Sequence, residues 1–228
     1  IETTGLADPA PVIQTFFMDE DVKAQVCLDS VVTVVDARHI WQHWEADEAK
    51  EQIAFADVIL LNKTDLVTPD ELVELEERIR GINAIAKIYR TYNAQVEMDA
   101  ILGINGFDLN HALELDPEFL NEAAHEHDET VRSIALVESG ALDGEKLNTW
   151  LGELLRAYGT DIFRMKGILN IAGEDHRFVF QGVHMLFDGQ QDRRWKPNES
   201  RKNELVFIGR NLDQMNLSAN FQACLVNE

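Results

Sequence analysis

In the first hundred residues, strand-like apolar runs alternate with segments in which the hydrophobic positions have helical spacing. Two apolar runs rich in β-branched residues, 27–36 and 56–61, have the character of buried parallel strands. A shorter run of the same kind covers 86–91, and helical spacing separates the runs. The helical stretches are 9–23, 37–55 and 69–80. Strands that alternate with helices predict an α/β fold, a mostly parallel sheet with helices on both faces.

The second half of the chain has a different pattern. Segment 131–138 alternates apolar and polar residues like a half-buried strand, and 143–158 places leucines and a tryptophan on one helical face. Three strand-like runs and a final helix follow, and they are 163–172, 177–187, 204–210 and 212–225. This order predicts an α+β module, an antiparallel sheet with helices on one face.

Composition argues against several classes of function. The 228 residues include 41 acidic and 20 basic side chains, for a net charge of -21. So acidic a chain argues against nucleic acid or an anionic membrane as a main partner, because both need a basic surface. No run approaches the roughly 20 apolar residues that span a bilayer, and we expect no signal peptide. Cys27 and Cys224 lie far apart, so we expect no disulfide framework and a cytoplasmic location.

The most specific chemistry follows the run 56–61, where Asn62-Lys63-Thr64-Asp65 forms an N-K-x-D motif. In a GTPase the Asp of this motif accepts from the ring N–H and the exocyclic amine of guanine, a bidentate contact that adenine cannot make. The Asn ties neighbouring loops together, and the Lys stem packs along the base. The motif also arises by chance. A buried strand before it and a capping box after it, Thr68-Pro69-Asp70-Glu71, favour nucleotide recognition.

A second element at the start of the chain supports the same chemistry. Ile1–Pro9 contains an E-x-x-G pattern that we place at a strand end, as in the Walker B and switch element of a P-loop NTPase. Glu2 would hold Mg²⁺, usually through water, because Mg²⁺ gives up its hydration shell reluctantly. Gly5 would offer its backbone N–H to the γ-phosphate, where a side chain would block approach. Taken singly, Glu2 reads as a terminal acid and Gly5 as a turn glycine, but the order of the two motifs favours the NTPase.

The phosphate-binding loop G-x-x-x-x-G-K-[ST] occurs nowhere in the sequence. The first residue is Ile, and we place it inside a strand. We therefore expect the sequence to be part of a longer protein, with the first strand, the P-loop and the first switch upstream. The predicted domains are 1–115, the C-terminal part of a P-loop GTPase domain; 116–130, an acidic linker; and 131–228, a C-terminal domain.

These motifs resemble the CobW family of metal-linked P-loop GTPases. In the first half the resemblance rests on Ile1–Pro9 and Leu61–Leu66. In the second half three segments are similar to the CobW C-terminal domain, and they are Lys166–Leu169, Val179–His184 and Phe207–Arg210. The resemblance covers nearly the whole chain. Its E-T-T-G-L-A-D-P stretch is specific, whereas N-K-T-D is generic to GTPases.

The resemblance implies a GTP-hydrolysing metallochaperone that uses GTP and Mg²⁺ and delivers a transition metal, zinc first, to a client metalloprotein. By position, Glu2 would be the Walker B acid and Mg²⁺ ligand, and Gly5 the γ-phosphate contact. The residues that would bind guanine are Asn62, Lys63, Asp65, Asn93 and Ala94. The family's C-x-C-C metal motif is absent from this sequence, like the P-loop.

Histidines supply further metal candidates. His125 and His127 lie in the acidic stretch and are acceptable zinc ligands, with a solvated acidic linker as the competing interpretation. His39 and His43 fall at helical i, i+4 spacing but lack an evident third ligand.

One basic cluster stands out in this acidic chain. Its members are Arg193, Arg194, Trp195, Lys196, Arg201 and Lys202. Because Arg and Trp are common interface anchors, the cluster resembles a docking patch. The competing interpretation is a long, mobile hairpin loop with solvated charges.

We predict a GTPase metallochaperone as the full-length protein, and a fragment that is inactive by itself. Two alternatives stay open: a non-catalytic metal- or client-binding module, and a GTPase of cobalamin synthesis or nitrile hydratase activation. A homo-oligomer also stays open, because no residue in the sequence specifies the client, the metal or the oligomeric state.

Overall fold

Two β-sheets with helices between them organise the residues that the computed structural model describes, 1–5, 7–104, 106 and 130–226. The helices are α1 Ala10–Met18, α2 Glu20–Lys23, α3 Asp47–Phe55, α4 Pro69–Ile82, α5 Gly144–Tyr158 and α6 Leu217–Ala223. The strands are β1 Val32–Asp36, β2 Val58–Asn62, β3 Lys87–Arg90, β4 Val131–Ser139, β5 Ile162–Leu169, β6 His176–Val183, β7 Leu186–Arg194 and β8 Lys202–Arg210. None of the described helices is both long and apolar enough to cross a membrane.

The first sheet is parallel, as predicted, with strand order β1-β2-β3. The described helices α3 and α4 lie on one face of this sheet, and helices on both faces stay a prediction. Helices α3 and α4 join the core on the face of Val35, Ile59 and Leu61, whereas Val34 on the opposite face is 58% exposed. Right-handed crossovers that step in one direction across a sheet place their helices on the same face, and strand order cannot be read from alternation.

Two of the predicted helices are interrupted. Segment 9–23 breaks at Asp19, which is extended (ψ 111°) and whose side chain accepts from the N–H groups of Asp21 and Val22, so that α2 begins anew. In segment 37–55 the Asp36 carboxylate accepts from the N–H groups of Arg38 and His39, which forms a turn instead of a helix. A short 3₁₀ turn follows, and α3 begins only at Asp47.

Helix α4 begins where the sequence predicts. Thr68 and Glu71 form the reciprocal capping box, and Pro69 occupies the first helical position. The helix buries Leu72, Leu75, Ile79 and Ile82 along one face and ends at Ile82.

The second sheet is antiparallel, as predicted, with strand order β4-β8-β5-β6-β7. Strand β7 was missed, because the predicted run 177–187 contains a hairpin turn. There His184 adopts a left-handed φ of 51°, and the chain reverses. The polar β7 has little alternation because it is an edge strand that pairs with β6 alone in the described sheet. Helices α5 and α6 pack with this sheet in one cluster, as predicted, although Asn216 (φ 49°) separates α6 from a preceding 3₁₀ turn.

The two halves share a hydrophobic core. One cluster combines residues of α1, α3 and α4 with Phe163, Val183, Val206 and Ile208 of the second sheet. The layers are therefore the parallel sheet, the helices α1, α3 and α4, the antiparallel sheet, and the helices α5 and α6. The boundaries at 115 and 130 border residues outside the described ranges, and the domain division stays a prediction.

A buried ionic network joins the halves. The Asp57 carboxylate, just before β2, accepts from Arg164 of β5 and from Lys166 Nζ at 3.0 Å. Arg164 is 1% exposed and also donates to the Phe55 carbonyl at 2.7 Å. Lys166 donates to the Gly106 carbonyl at 2.7 Å. A Cβ on Gly106 would approach the Asp57 carboxyl carbon to 2.8 Å, so this close backbone approach requires glycine.

Burial and charge act in opposite directions on this network. Burial alone would raise the pKa of Asp57, but Arg164 and Lys166 outweigh it and hold that pKa below its usual value. Burial, followed by the neighbouring Arg164 charge, lowers the pKa of Lys166 to about 8, although Asp57 opposes the shift.

Replacing Arg164 with Ala should destabilise the fold by about 3–5 kcal/mol, because it leaves the Asp57 carboxylate buried without its main counter-charge. Urea unfolding followed by circular dichroism measures the loss. The matched control is Arg90→Ala, which breaks the more exposed pair with Glu76 and should cost about 1 kcal/mol or less. Equal losses in the two variants would contradict the role of the network.

Stability should also depend on pH through Lys166. Its pKa is about 8 in the folded chain and 10.5 as the unperturbed value, so between these pH values the unfolded chain binds more protons. The free energy of unfolding attributable to Lys166 should therefore rise with pH across that window. Urea titrations at pH 8 and pH 10 should show a larger rise in the wild type than in Lys166→Met. A Met variant with the same rise would refute the assignment.

Candidate functional site

The site lies at the carboxyl edge of the parallel sheet. Strands β1 and β2 end side by side at Asp36 and Asn62, which are register partners, and β3 ends next to them at Arg90. Ligands of open α/β sheets bind beyond this edge, where the loops after neighbouring strands converge.

Asn62 ties two loops together. Its side-chain oxygen accepts from the Ala94 backbone N–H at 2.9 Å and from the Thr91 hydroxyl at 3.2 Å. Thr64, on the other side, donates its hydroxyl to the Thr91 carbonyl at 3.1 Å. The N-K-x-D loop and the loop after β3 therefore form one hydrogen-bonded unit, and Thr91 is a member that the sequence analysis did not identify.

The backbone of this unit is strained. Lys63, Asn93 and Ala94 have φ values of 61°, 49° and 54°. Residues other than glycine seldom adopt such left-handed φ values, and they persist only where the surroundings impose them. The two predicted base-contacting segments thus carry the strained backbone at this edge.

Lys63 is oriented by a carboxylate from the neighbouring strand. Its Nζ lies 2.7 Å from Asp36 Oδ2, and His39 Nδ1 lies 3.0 Å from the same oxygen. Burial would raise the pKa of Asp36, but the hydrogen bonds from Lys63 and His39 prevail and lower it to about 2. Asp36 is therefore ionised at neutral pH. Its position at the carboxyl end of a predicted strand was the sequence signal that places it at the site.

Asp65 lies in a 3₁₀ turn, Thr64–Leu66, and is exposed. An exposed carboxylate next to a pinned, strained loop fits the bidentate recognition of guanine. The five predicted guanine-binding residues are thus on two loops joined by Asn62. Whether they bind guanine stays a prediction.

Glu2 and Gly5 lie in the opening segment of the chain, outside the hydrogen-bonded unit of the two loops. The prediction of a strand at the start of the chain is wrong for the described residues, because Ile1–Thr4 pair with no strand there. Strand geometry needs a hydrogen-bonded neighbour, and β1 pairs only with β2 in the described sheet. Glu2 and Gly5 are exposed, and a Cβ added to Gly5 would meet nothing within 4 Å. Gln52 of α3 holds this segment by donating to the Thr4 and Ala7 carbonyls.

The predicted metal ligands are not brought together. His125 and His127 lie outside the described residues. His39 contacts Asp36 instead of forming a helical pair with His43, since residues 40–42 form a 3₁₀ turn. Within the ranges that the structure describes, no group of three or more His, Cys, Asp or Glu side chains could hold a metal ion.

The basic cluster is tied to its own sheet. Arg193 and Arg194 belong to β7, not to a loop, and Arg193 makes two hydrogen bonds of 2.7 and 2.6 Å to Glu199. These bonds lower the pKa of Glu199 to about 2. Trp195 packs against Ile168 and Val179.

The fold and the carboxyl-edge site define a nucleotide-binding α/β unit followed by an antiparallel module. Residues 1–90 match the CobW/HypB/UreG nucleotide-binding domain, and residues 131–225 match the cobalamin synthesis protein cobW C-terminal domain. The chain belongs to the CobW family.

Two named relatives link the family to zinc. The zinc chaperone YjiA of Escherichia coli is 35% identical over 97% of this chain and 69% of that protein. Zinc-regulated GTPase metalloprotein activator 1 of Saccharomyces cerevisiae is 29% identical over 94% of this chain and 59% of its own length. The chain therefore spans roughly three fifths to two thirds of these relatives.

A solved structure supports the fold directly. The crystal structure of Zn(II)-bound YjiA GTPase from E. coli matches with a TM-score of 0.83 and 31% identity, over 98% of this chain and 69% of that one. It supports the fold class, a parallel first sheet followed by an antiparallel module.

Asn62→Ala should loosen the loop after β3. The Ala94 N–H and the Thr91 hydroxyl lose their acceptor, and we expect a loss of about 1 kcal/mol in local stability. Hydrogen exchange at the Ala94 amide measures this as faster exchange. Asn198→Ala, in the β7–β8 connection, is the control and should leave that amide unchanged. Unchanged exchange in Asn62→Ala would contradict the loop tie.

Proposed function

We propose that the full-length protein containing this chain binds Mg-GTP, hydrolyses it and delivers zinc to a client metalloprotein. The observation that carries the proposal is the unit formed by the N-K-x-D loop and the loop after β3, joined by Asn62. Family membership and the names of the relatives support the same activity.

Guanine is recognised at this unit. The exposed Asp65 carboxylate accepts from the ring N–H and the exocyclic amine, while Lys63, held by Asp36, packs its stem along the base. Asn93 and Ala94 present backbone groups to the base from the adjoining loop. The strained φ values at these positions are maintained by the hydrogen bonds to Asn62 and Thr91, so the binding geometry exists before the ligand arrives.

Phosphate chemistry involves the opening segment. Glu2 is the candidate for holding Mg²⁺ through water, and Mg²⁺ supplies neutralisation of the charge that develops on the phosphates. Gly5 lies in open space, which fits the close approach of a phosphate to its N–H. The chain described here lacks a P-loop motif, so turnover is assigned to the full-length protein.

Zinc enters as cargo. The assignment of zinc rests on the relatives, whose names describe zinc chaperones and a zinc-regulated GTPase activator. His125 and His127 remain candidate ligands. The described residues supply no donor set of their own, so no step of zinc transfer is derived from them. Both cysteines are free, which supports a reducing cytoplasm as the location.

Asp65→Asn should convert the base preference of the full-length protein. Losing a charged hydrogen-bond pair worth about 1.5–3 kcal/mol should weaken GTP binding about 10- to 150-fold. Xanthosine triphosphate, which carries a carbonyl in place of the amine, should regain binding and turnover with the new amide. Equilibrium binding and phosphate release with both nucleotides measure the exchange.

The matched control is Asp70→Asn, the same change at another exposed acid in the first turn of α4. It should leave GTP and xanthosine triphosphate binding as in the wild type. If Asp65→Asn keeps wild-type GTP affinity, or if adenosine triphosphate competes equally with GTP, guanine recognition at this loop is wrong. A non-catalytic module would then account better for the chain.

A further inference from the structure

Helix α3 contacts both the opening segment and the second sheet through adjacent residues. On one side Gln52 Nε2 donates to the Thr4 carbonyl at 3.1 Å and to the Ala7 carbonyl at 3.0 Å. These carbonyls flank Gly5, and the Thr4 carbonyl also accepts from the Ala7 N–H at 3.1 Å. One side-chain amide therefore clamps the turn that carries the predicted γ-phosphate contact.

Gln52 is itself held in place by the parallel sheet. Its backbone carbonyl accepts from the Thr33 hydroxyl of β1 at 2.8 Å. The clamp is thus anchored at one end to a strand that leads to Asp36 and the guanine loop. A displacement of the Thr4–Ala7 turn must either break the two amide hydrogen bonds or move α3.

The preceding residue, Glu51, contacts the second sheet. Its carboxylate accepts a hydrogen bond of 2.5 Å from the guanidinium group of Arg210 at the end of β8. The Arg210 guanidinium is stacked over the Phe163 ring of β5, 5.1 Å from the centroid. The pair is partly buried, with the Arg210 and Glu51 side chains 30% and 19% exposed, and burial raises the pKa of Glu51 while Arg210 opposes that shift.

The end of α3 adds an aromatic contact to the same interface. The Phe55 ring packs 5.8 Å from the Phe163 ring and 5.4 Å from the His184 ring in the β6–β7 turn. Through Glu51, Gln52 and Phe55, α3 therefore contacts the opening segment, β8, β5 and the β6–β7 turn. A packed helix with polar contacts on two sides shifts as a unit rather than deforming continuously.

We propose that α3 couples the opening segment to the C-terminal sheet, with Gln52 as the contact to the Thr4–Ala7 turn and the Glu51–Arg210 pair as the contact to β8. The proposal rests on the proposed function, because it assumes that GTP, and not GDP, draws Gly5 toward a phosphate. Coupling of this kind requires that the two nucleotides differ in affinity for the two positions of α3.

The test uses the full-length protein with GDP or a non-hydrolysable GTP analogue. Gln52→Ala and Arg210→Ala should each reduce the preference for the analogue over GDP by about 5-fold or more, while GDP affinity stays within about twofold. Amide hydrogen exchange in β8 and the β6–β7 turn should differ between the two nucleotides in the wild type. That difference in exchange should be absent in both variants. In the double variant, the loss of analogue preference, expressed as free energy, should be smaller than the sum of the two single losses.

Three further variants separate coupling from misfolding. Arg210→Lys keeps the charge and should give an intermediate preference, because it loses the planar, two-pronged donor. Glu48→Gln changes an exposed acid on the same helix and should behave as the wild type. Glu51→Gln, the same change three residues on, should reduce the analogue preference.

The outcomes distinguish this proposal from the proposed function. If the wild type does not bind guanine nucleotides, both proposals are wrong. If it binds and hydrolyses GTP, but Gln52→Ala and Arg210→Ala keep the wild-type analogue preference, only the coupling is wrong. Purely additive effects in the double variant would also overturn the coupling, since independent contacts would then explain the losses.

Discussion

One buried carboxylate, Asp57, is bonded to both halves of this protein and lies beside the hydrophobic core that they share. It is buried between Arg164 and Lys166 of the antiparallel sheet and accepts the Val31 N–H of the parallel one at 2.9 Å. Three charges withdrawn from water are expensive individually, and only their mutual contacts make the arrangement tolerable. Because Asp57 precedes β2 and Asn62 ends it, the network also helps to position the N-K-x-D loop relative to the second sheet.

The helices between the sheets also bury polar groups, the backbone groups at their ends, and these need hydrogen-bond partners. Asn83, fully buried after α4, donates to the carbonyls of Ile53, Ala54 and Ala56 at the end of α3. Ser133 of β4 accepts from the Ala84 N–H and donates to the Ile82 carbonyl. Orphan groups at two buried helix ends are thus paired by one amide and one hydroxyl, as buried backbone requires. These hydrogen bonds allow the C-terminal ends of α3 and α4 to be buried between the two sheets.

The candidate site combines strain with local charge in a strongly acidic chain. The left-handed Lys63, Asn93 and Ala94 lie where three strands end, and the hydrogen bonds of Asn62 maintain them. Asp36 remains ionised far below neutral pH, so Lys63 keeps its anchor across the physiological range. The two loops at this edge are therefore held in one conformation by hydrogen bonds within the described residues.

Local patterns were sufficient for much of the fold and for half of the site. The run 56–61 predicted β2, Thr68 to Glu71 predicted the start of α4, and the N-K-x-D motif predicted the loop after β2, since each is encoded within a few neighbouring residues. The edge strand β7 was not predictable in the same way, because it buries too few side chains to show a regular alternation of apolar and polar residues.

Tertiary structure alone decided the contacts between distant segments. Asp57 meets Arg164 across 107 positions, and Gln52 meets Thr4 across 48, with no local signal for either. Strand order, and with it the face that the helices occupy, also depends on which strands pair. The sequence by itself determined most of the elements and the N-K-x-D motif, because these depend on neighbours in the chain. Only folding decided the ionic network, the clamp on the opening segment and the shared core, because these depend on residues that the chain brings together from far apart.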